Sequence, residues 1–436
     1  MGIGEVALLL FAGAGGLALV ELVTRRTDAG ALVVLGMLLF GIAFSEVETS
    51  VTVGPVNVGL GDLLFLIFMT AATARLLRSD RLTFPHRLLI ALGLLVVFSI
   101  VQGVGLHGAA AGNEARPFLR FIGVALYFST AEPRRDLFNR IGGFWLAVSV
   151  TLSILAVVRW GALAAGVNSG VLASSTGTVR VLPSGQTLII AVGAVLALPL
   201  LADRERGLIR FLGPAMLVVV VLLQHRSVWV VAAAGTVYLL FRKRAVAKQA
   251  LTALAAGVII FGVLVSTVFY QGDEDVTEQL SGATQQTGTW DWRVAGWVAL
   301  LTDSGPEGPL ELAVGKPFGE GWDRQLEPRG RVISVSPHNH YVSTYLRLGV
   351  LGLLGTLLIY SFALRGTHKA ARARVPDYGL LDPDFLNVVL GMQLLYYIPY
   401  SVDIYQAMLL GLACAMASSS ATSGQESDRP RLAMAK

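Results

Sequence analysis

The sequence has 436 residues, of which 54% are hydrophobic and only 14% are charged, and its mean hydropathy is +0.65. These values exclude an ordinary soluble globular protein, in which about a quarter of the residues are charged, and they predict a polytopic membrane protein. The formal net charge of +5 does not indicate a nucleic-acid partner, because the basic residues lie between apolar runs and form no basic stripe interleaved with aromatic residues.

Apolar stretches of spanning length recur along the chain. The first is followed, rather than preceded, by positive charges (Arg25 and Arg26), so we expect a retained span and not a cleaved signal peptide. Because a span needs about 20 apolar residues, the pattern predicts an all-α bundle of about twelve or thirteen transmembrane helices. The stretches lie near residues 5–23, 29–44, 60–77, 88–106, 117–131, 141–163, 185–201, 208–223, 228–241, 250–270, 341–364 and 385–417, and the last is expected to be two helices separated at residues 399–403.

Arginine and lysine residues collect on alternate connections between these stretches. By the positive-inside rule those connections are cytoplasmic, and the others face outward. The outward group includes the tight turn from Gln224 to Ser227 and one long segment, residues 271–337. This segment contains Trp290, Trp292 and Trp297, and it is predicted to fold as a cap with short amphipathic helices.

The predicted organisation has four parts. Residues 1–270 form a transmembrane bundle of about ten spans. Residues 271–337 form the extracytoplasmic cap, residues 338–417 form the C-terminal transmembrane helices, and residues 418–436 form a disordered cytoplasmic tail rich in serine and charged residues.

Four outward-facing arginines are candidates for a binding site: Arg159, Arg180, Arg226 and Arg293. A charged group near the membrane is costly unless it is paired or functional. Arginine binds a phosphate through two parallel hydrogen bonds and stays charged, so a cluster of arginines suits a lipid-linked diphosphate. Each of them could instead be a snorkelling residue that contacts lipid headgroups.

His338 is the histidine best placed for chemistry, because it lies where the long outward segment meets an apolar helix. The order Ser336-Pro337 predicts that this helix starts at Pro337 with Ser336 as its N-cap. His338, Tyr341 and Tyr345 would then share one helix face. An imidazole at this point could act as a general base toward a hydroxyl group.

Other titratable groups give weaker signals. His338 and His340 could suggest a zinc site, but i, i+2 spacing on a helix points two side chains to different faces, and no third ligand completes a site. The single cysteine, Cys414, excludes an internal disulfide and a cysteine-based metal site. We therefore expect no metal and no cofactor.

His225 could assist Arg226 or could be a surface residue. The alternative bases are Asp291, Glu320, Asp323, Glu327 and Asp403.

The order of these motifs resembles the O-antigen ligase and O-antigen polymerase superfamily of bacterial membrane glycosyltransferases. His338-Asn339-x-Tyr341 followed by Gly349-x-x-Gly352 resembles the signature of that superfamily. Arg226-Ser227 is similar to its Ser-Arg turn, with the two residues in reverse order. Arg293 with Trp297 resembles its Arg-x-x-x-Trp element, and Gly315 to Gly321 resembles its glycine-rich piece. The similarity covers mainly the C-terminal half of the chain.

The resemblance implies a GT-C-like membrane enzyme of the bacterial cytoplasmic membrane, with its active site on the extracytoplasmic face. Its donor would be a glycan on a polyprenyl (undecaprenyl) diphosphate, and its acceptor a hydroxyl of a glycan, glycolipid or other cell-envelope molecule. Arg226 and Arg293, supported by Arg180, would bind the diphosphate. His338 would orient or deprotonate the acceptor with inversion at the sugar and without a metal. Supporting residues would be Asn339, His340, Tyr341, Asp403 and Arg347.

Two alternatives stay open at the level of the sequence. A polymerase would differ from a ligase only in its acceptor, and the single long outward segment favours the ligase. A transporter or flippase would show internal repeats and broken helices near the middle of the membrane, which the pattern does not favour. Arg347 departs from relatives, which often have an acidic residue there. We expect it to pair with Asp403 or Glu320, because a membrane arginine usually has a partner.

Overall fold

The computed structural model of the chain describes residues 15–43, 50–53, 56–79, 82–165, 167, 172–173, 179–243, 288–326, 331–373 and 378–427. Within these ranges most residues are helical, which confirms the all-α class, and the strands form short antiparallel hairpins. Residues 15–25 are helical. The helices that follow are α1 (Thr27–Ala43), α2 (Leu60–Arg78), α3 (Phe84–His107), α4 (Ala109–Ser129), α5 (Arg135–Ala164), α6 (Ser184–Ala197), α7 (Leu212–Leu222), α8 (Arg226–Arg242), α9 (Gly288–Asp303), α10 (Pro309–Val314), α11 (His340–Arg372), α12 (Pro383–Tyr396) and α13 (Ile404–Ser427).

The described strands pair in sequence order. They are β1 (Ser50–Val53) with β2 (Val56–Gly59), β3 (Leu172–Ala173) with β4 (Val179–Arg180), and β5 (Arg324–Leu326) with β6 (Arg331–Ile333). Short 3-10 helices occupy Leu198–Ala202, Arg204–Phe211 and Gly379–Leu381.

Five segments of the described chain are long and apolar enough to cross a membrane: Leu60–Arg78, Phe84–His107, Arg135–Leu163, Ser184–Ala202 and His340–Arg372. Thr27–Ile42 and Ile404–Ser419 are shorter apolar helices. The expected break near residues 399–403 is confirmed, because α12 ends at Tyr396 and α13 begins at Ile404. The count of about twelve or thirteen spans includes the stretch near 250–270, which lies outside the described residues, so it stays a prediction.

The chain forms two compact units. Unit 1 comprises residues 1–141, 296–390 and 400–436, and unit 2 comprises residues 142–295 and 391–399. In unit 1, α4 packs against α2, α3 and α13, while α11 packs against α3, α10 and α13. Close approach depends on small residues, since a Cβ at Gly355 of α11 would lie 2.6 Å from Leu92 Cδ2 of α3.

Helix α6 is the centre of unit 2. Its residues from Thr187 to Ala197 are all buried, and α7 and α8 pack against it. Trp145 Nε1 and Ser149 Oγ both donate to the carbonyl of Ile189, at 3.2 and 3.0 Å. These bonds anchor α5 to α6, so the helix that follows Arg180 is held within the buried core of unit 2.

Two boundaries differ from the sequence-based prediction. The cap segment contains the expected short helices α9 and α10, but its strands β5 and β6 also pair with each other, which the sequence did not indicate. Helix α13 continues to Ser427, so the residues just after Ala417 are helical and not a disordered tail. Residues 271–287 and 428–436 lie outside the described ranges.

Candidate functional site

The turn between α7 and α8 places Arg226 at the start of a helix. Gln224 adopts a left-handed backbone conformation (φ 56°), which reverses the chain, and the carbonyl of His225 accepts hydrogen bonds from the N–H groups of Val228 and Trp229 at 2.8 and 3.0 Å. The His225 ring bonds through Nε2 to the carbonyl of Leu182 at 2.8 Å. This bond ties the Arg226 turn to the segment that carries Arg180.

His225 is a buried histidine and not the surface residue that the sequence left open. Its side chain is 3% exposed. Burial lowers the pKa of His225 to about 4, and the positive charges of Arg180 and Arg293 lower it further, against the opposing effect of the bond to Leu182. The ring is therefore neutral at physiological pH. Because a carbonyl only accepts, Nε2 carries the proton and Nδ1 presents a lone pair.

Several polar atoms around this turn are buried with no hydrogen-bond partner in the described part of the chain. They include His225 Nδ1, Arg180 Nε and Gln186 Oε1, all in unit 2. Leaving such an atom unsatisfied costs about 1–3 kcal/mol. Buried atoms of this kind are the ones that a ligand or an ordered water satisfies. Arg180 Nε is a donor, which an anion could satisfy, whereas His225 Nδ1 and Gln186 Oε1 are acceptors and need a donor such as water or a hydroxyl group.

Arg293 and Arg159 form hydrogen bonds to different segments of unit 2. Arg293, on α9, donates from Nη1 to the carbonyl of Pro399 at 3.3 Å, and its charge acts on His225. Trp290 and Trp292 beside it are 48% and 37% exposed, as expected for aromatic side chains at a membrane interface. Arg159 donates from Nη1 to the carbonyl of Val181 at 2.9 Å. Arg159 therefore fixes the segment after Arg180.

The start of α11 corrects the prediction for His338. The helix begins at His340, and its N-cap is Asn339, whose Oδ1 accepts the N–H of Val342 at 3.0 Å. Ser336 is not the cap. His338 precedes the helix with φ 50°, so it does not share a helix face with Tyr341. A left-handed backbone is uncommon for histidine, and such strain is found at functional sites.

Trp297 explains how the residue before His338 is held. Its Nε1 donates to the carbonyl of Pro337 at 2.7 Å, within unit 1. The partly buried His338 is thus placed between a carbonyl fixed by tryptophan and the helix cap at Asn339. The sequence marked Trp297 only as part of a motif and gave no reason for it.

His340 is a core residue. It is 4% exposed, and its ring lies 5.9 Å from that of Phe118 and 6.1 Å from that of Phe121. The backbone N–H of His340 donates to the backbone carbonyl of Tyr400 at 3.1 Å. Because His338 lies outside the helix, the helical i, i+2 argument used against zinc does not apply to this pair. Within the described ranges, no three His, Cys, Asp or Glu side chains come together as a metal site requires.

Arg347 is the centre of a buried ion cluster. It is 2% exposed and contacts Glu114 Oε1 at 2.5 Å and Glu320 Oε2 at 3.0 Å. It also donates to the carbonyl of Gly321 and lies over the ring of Trp322, 4.4 Å from its centroid. The pairing is with Glu320, one of the two expected partners, and with Glu114, which the sequence analysis missed. The Asp403 carboxylate accepts instead from the N–H of Ile404 at 2.6 Å.

The glycine-rich segment from Gly315 to Gly321 packs against a break in α11. At Gly349 the backbone leaves the helix (φ 61°, ψ −162°). The carbonyl of Leu346, which an unbroken helix would bond internally, accepts the N–H of Lys316 at 2.7 Å. A Cβ on Gly349 would lie 2.3 Å from the carbonyl oxygen of Ala313. Gly349 therefore lets the end of α10 and the start of the glycine-rich segment pack against the break in α11.

The candidate residues fall into two sets. Arg180, Arg226 and Arg293 lie in unit 2, and the set in unit 1 contains His338, Asn339, His340, Tyr341, Arg347 and Asp403. The expectation that His338 meets Arg226 and Arg293 in one pocket joins residues of both units and stays a prediction.

A comparison of the sequence with models of known protein families finds a match to one family. The family model described as O-antigen ligase matches residues 211–357. The matched region contains Arg226, Arg293, the glycine-rich segment and His338. No curated protein matches the chain at a significant level. The match and the five long apolar helices support a multi-pass membrane protein with a region similar to the O-antigen ligase family. Over residues 211–357, about a third of its length, this chain is similar to the O-antigen ligase family.

Proposed function

We propose that the protein transfers a glycan from a polyprenyl diphosphate, such as undecaprenyl diphosphate, to a hydroxyl of a cell-envelope acceptor, as an O-antigen ligase does. The reaction would occur on the extracytoplasmic face of the bacterial cytoplasmic membrane. The observation that carries the proposal is that the charges of Arg180 and Arg293 both act on His225, the residue directly before Arg226, so that guanidinium groups come near one turn. A group of guanidinium side chains suits a lipid-linked diphosphate.

The arginines supply the electrostatic part of the mechanism. As the bond between the anomeric carbon and the phosphate oxygen breaks, negative charge grows on the departing diphosphate. Guanidinium groups placed there stabilise that charge, and removing one such donor costs about 10²–10³ in rate. Arg226 and Arg293 take this role, with Arg180 in support. Neutral His225 adds no positive charge of its own.

His338 supplies the proton transfer. The acceptor oxygen attacks the anomeric carbon from the side opposite to the leaving group, which gives inversion, and its proton passes to the imidazole. The partial exposure and the left-handed backbone of His338 support this role, because a base must reach a substrate hydroxyl from a defined position. No metal takes part in the proposed reaction.

The experiment is transfer by purified protein from a polyprenyl-diphosphate glycan, with EDTA present, to either a glycolipid acceptor or a second lipid-linked glycan. We expect Arg226→Lys and Arg293→Lys each to slow transfer about a hundredfold, because lysine loses the bidentate contact. Arg206→Lys is the matched control, since Arg206 belongs to an exposed ion pair in the same unit. His338→Gln should also abolish transfer. Chain extension of the lipid-linked glycan would identify a polymerase. Normal transfer rates in Arg226→Lys, Arg293→Lys and His338→Gln would refute the mechanism.

A further inference from the structure

A stripe of exposed residues runs along one face of α11 below its break. Its apolar members Leu351, Leu354 and Leu358 are 54%, 50% and 52% exposed. Phe362 continues the stripe at helical spacing, and two exposed cations, Arg365 and Lys369, complete it. The order from apolar to basic along one face follows the order of acyl chain and headgroup in a lipid leaflet.

The length of the apolar part agrees with that reading. A helix rises about 1.5 Å per residue, so Leu351 and Phe362 are about 16 Å apart along the axis. Half of a bilayer hydrocarbon core is about 15 Å thick. The two cations therefore stand at the level of the phosphates when the leucines lie in the hydrocarbon.

A cavity of about 290 Å³ lies at the basic end of this stripe, within unit 1. Phe84 of α3, Ala417 of α13 and the α11 residues from Leu358 to Lys369 that face them line it. The rings of Phe84 and Phe362 are 5.4 Å apart and form one wall. A Cβ on Gly366 would lie 2.1 Å from Ala417 Cβ, so this glycine allows α11 and α13 to close the floor of the cavity.

The charges at the cavity are of one sign. No acidic side chain is among the described residues that line it. Neither Arg365 nor Lys369 forms an ion pair with a residue in the described ranges. A snorkelling side chain needs only a flat interface, whereas here two cations border an open, mainly apolar recess between α3, α11 and α13, and basic pockets between helices are typical headgroup sites.

We propose that this cavity binds the headgroup of an anionic phospholipid, with its phosphate on Arg365 and Lys369 and one acyl chain along Leu358, Leu354 and Leu351. The site lies at the membrane face predicted to be cytoplasmic, on the side away from the proposed transfer chemistry. It is independent of the proposed function, because none of its residues belongs to the diphosphate or acceptor sets.

The test is lipid binding by the full-length protein in detergent, titrated with phosphatidylglycerol and, separately, with phosphatidylethanolamine, and read by native mass spectrometry. We expect wild type to prefer phosphatidylglycerol, and the double variant Arg365→Gln/Lys369→Gln to bind it about tenfold to thirtyfold more weakly. The control Arg78→Gln/Arg87→Gln removes two exposed charges from the same unit, outside the cavity, and should bind like wild type. Equal binding of both lipids by wild type, or equal losses in both double variants, would overturn the proposal.

Discussion

Replacing Arg347 tests how the glycine-rich segment is held. Arg347 is 2% exposed and bridges Glu114, whose side chain is 11% exposed, and Glu320, whose side chain is 40% exposed. Arg347→Ala leaves the carboxylate of Glu114 buried without a cation. Removing one partner of a buried ion pair costs about 3–5 kcal/mol. Solvent screens the exposed Glu320, so the expected cost is about 3–4 kcal/mol and comes mainly from Glu114.

A double-mutant cycle separates this cost from lost packing. In Arg347→Ala/Glu114→Gln the uncompensated charge is absent, so the double variant should be at least about 1 kcal/mol more stable than the sum of the two single changes predicts. Unfolding in mixed detergent micelles gives the four free energies. Arg206→Ala, which breaks an exposed pair with Asp203, should cost less than about 1 kcal/mol. A similarly small effect of Arg347→Ala, or strict additivity in the cycle, would refute the reasoning.

Three further predictions follow from the same geometry. Gly349→Ala should lower the free energy of unfolding by about 3 kcal/mol in the same assay, because the new Cβ would lie 2.3 Å from Ala313 O and the backbone conformation favours glycine. The control Gly105→Ala, whose Cβ would have no atom within 4 Å, should be nearly neutral. The pKa of His225 is about 4 in the folded protein and 6.5 in the unfolded chain, so its contribution to the free energy of unfolding is fully present above pH 6.5. About 3 kcal/mol of that free energy should be lost as the pH falls to 4, and His225→Gln should remove this part of the pH dependence. An unchanged pH profile in the variant would contradict a buried neutral ring. Trp297→Phe removes the hydrogen bond to Pro337 and should cost only about 1 kcal/mol in stability but slow transfer more than the same change at exposed Trp290.

The pattern of apolar stretches was enough to predict the helical class and the break before α13. Both depend on local composition, because a polar Pro-Tyr-Ser-Val-Asp run cannot continue an apolar helix. The start of α11 was missed by a few residues for a tertiary reason. Ser336-Pro337 is a good local cap, but Trp297 bonds the carbonyl of Pro337, and Tyr400 accepts the N–H of His340.

The features of the site that could not be predicted from the sequence depend on contacts with residues far away in the chain. Glu114 lies far from Arg347 in the chain, so no local spacing connects them. Gly349 lies inside an apolar run typical of a continuous helix, and the break there becomes evident only when Lys316 bonds the carbonyl of Leu346. His225 stands among Gln224, Arg226 and Ser227, which have the composition of an exposed turn, and only its bond to Leu182 shows that the turn is buried.

The central claim is that the arginines of unit 2 bind a diphosphate. Its most direct measurement is the affinity of the detergent-solubilised protein for a short-chain polyprenyl diphosphate and for the matching monophosphate, in wild type, Arg293→Lys and Arg206→Lys. We expect wild type and Arg206→Lys to bind the diphosphate more tightly by at least about tenfold, and Arg293→Lys to lose that preference. Equal affinity of wild type for the two lipids, or an unchanged preference in Arg293→Lys, would contradict the account.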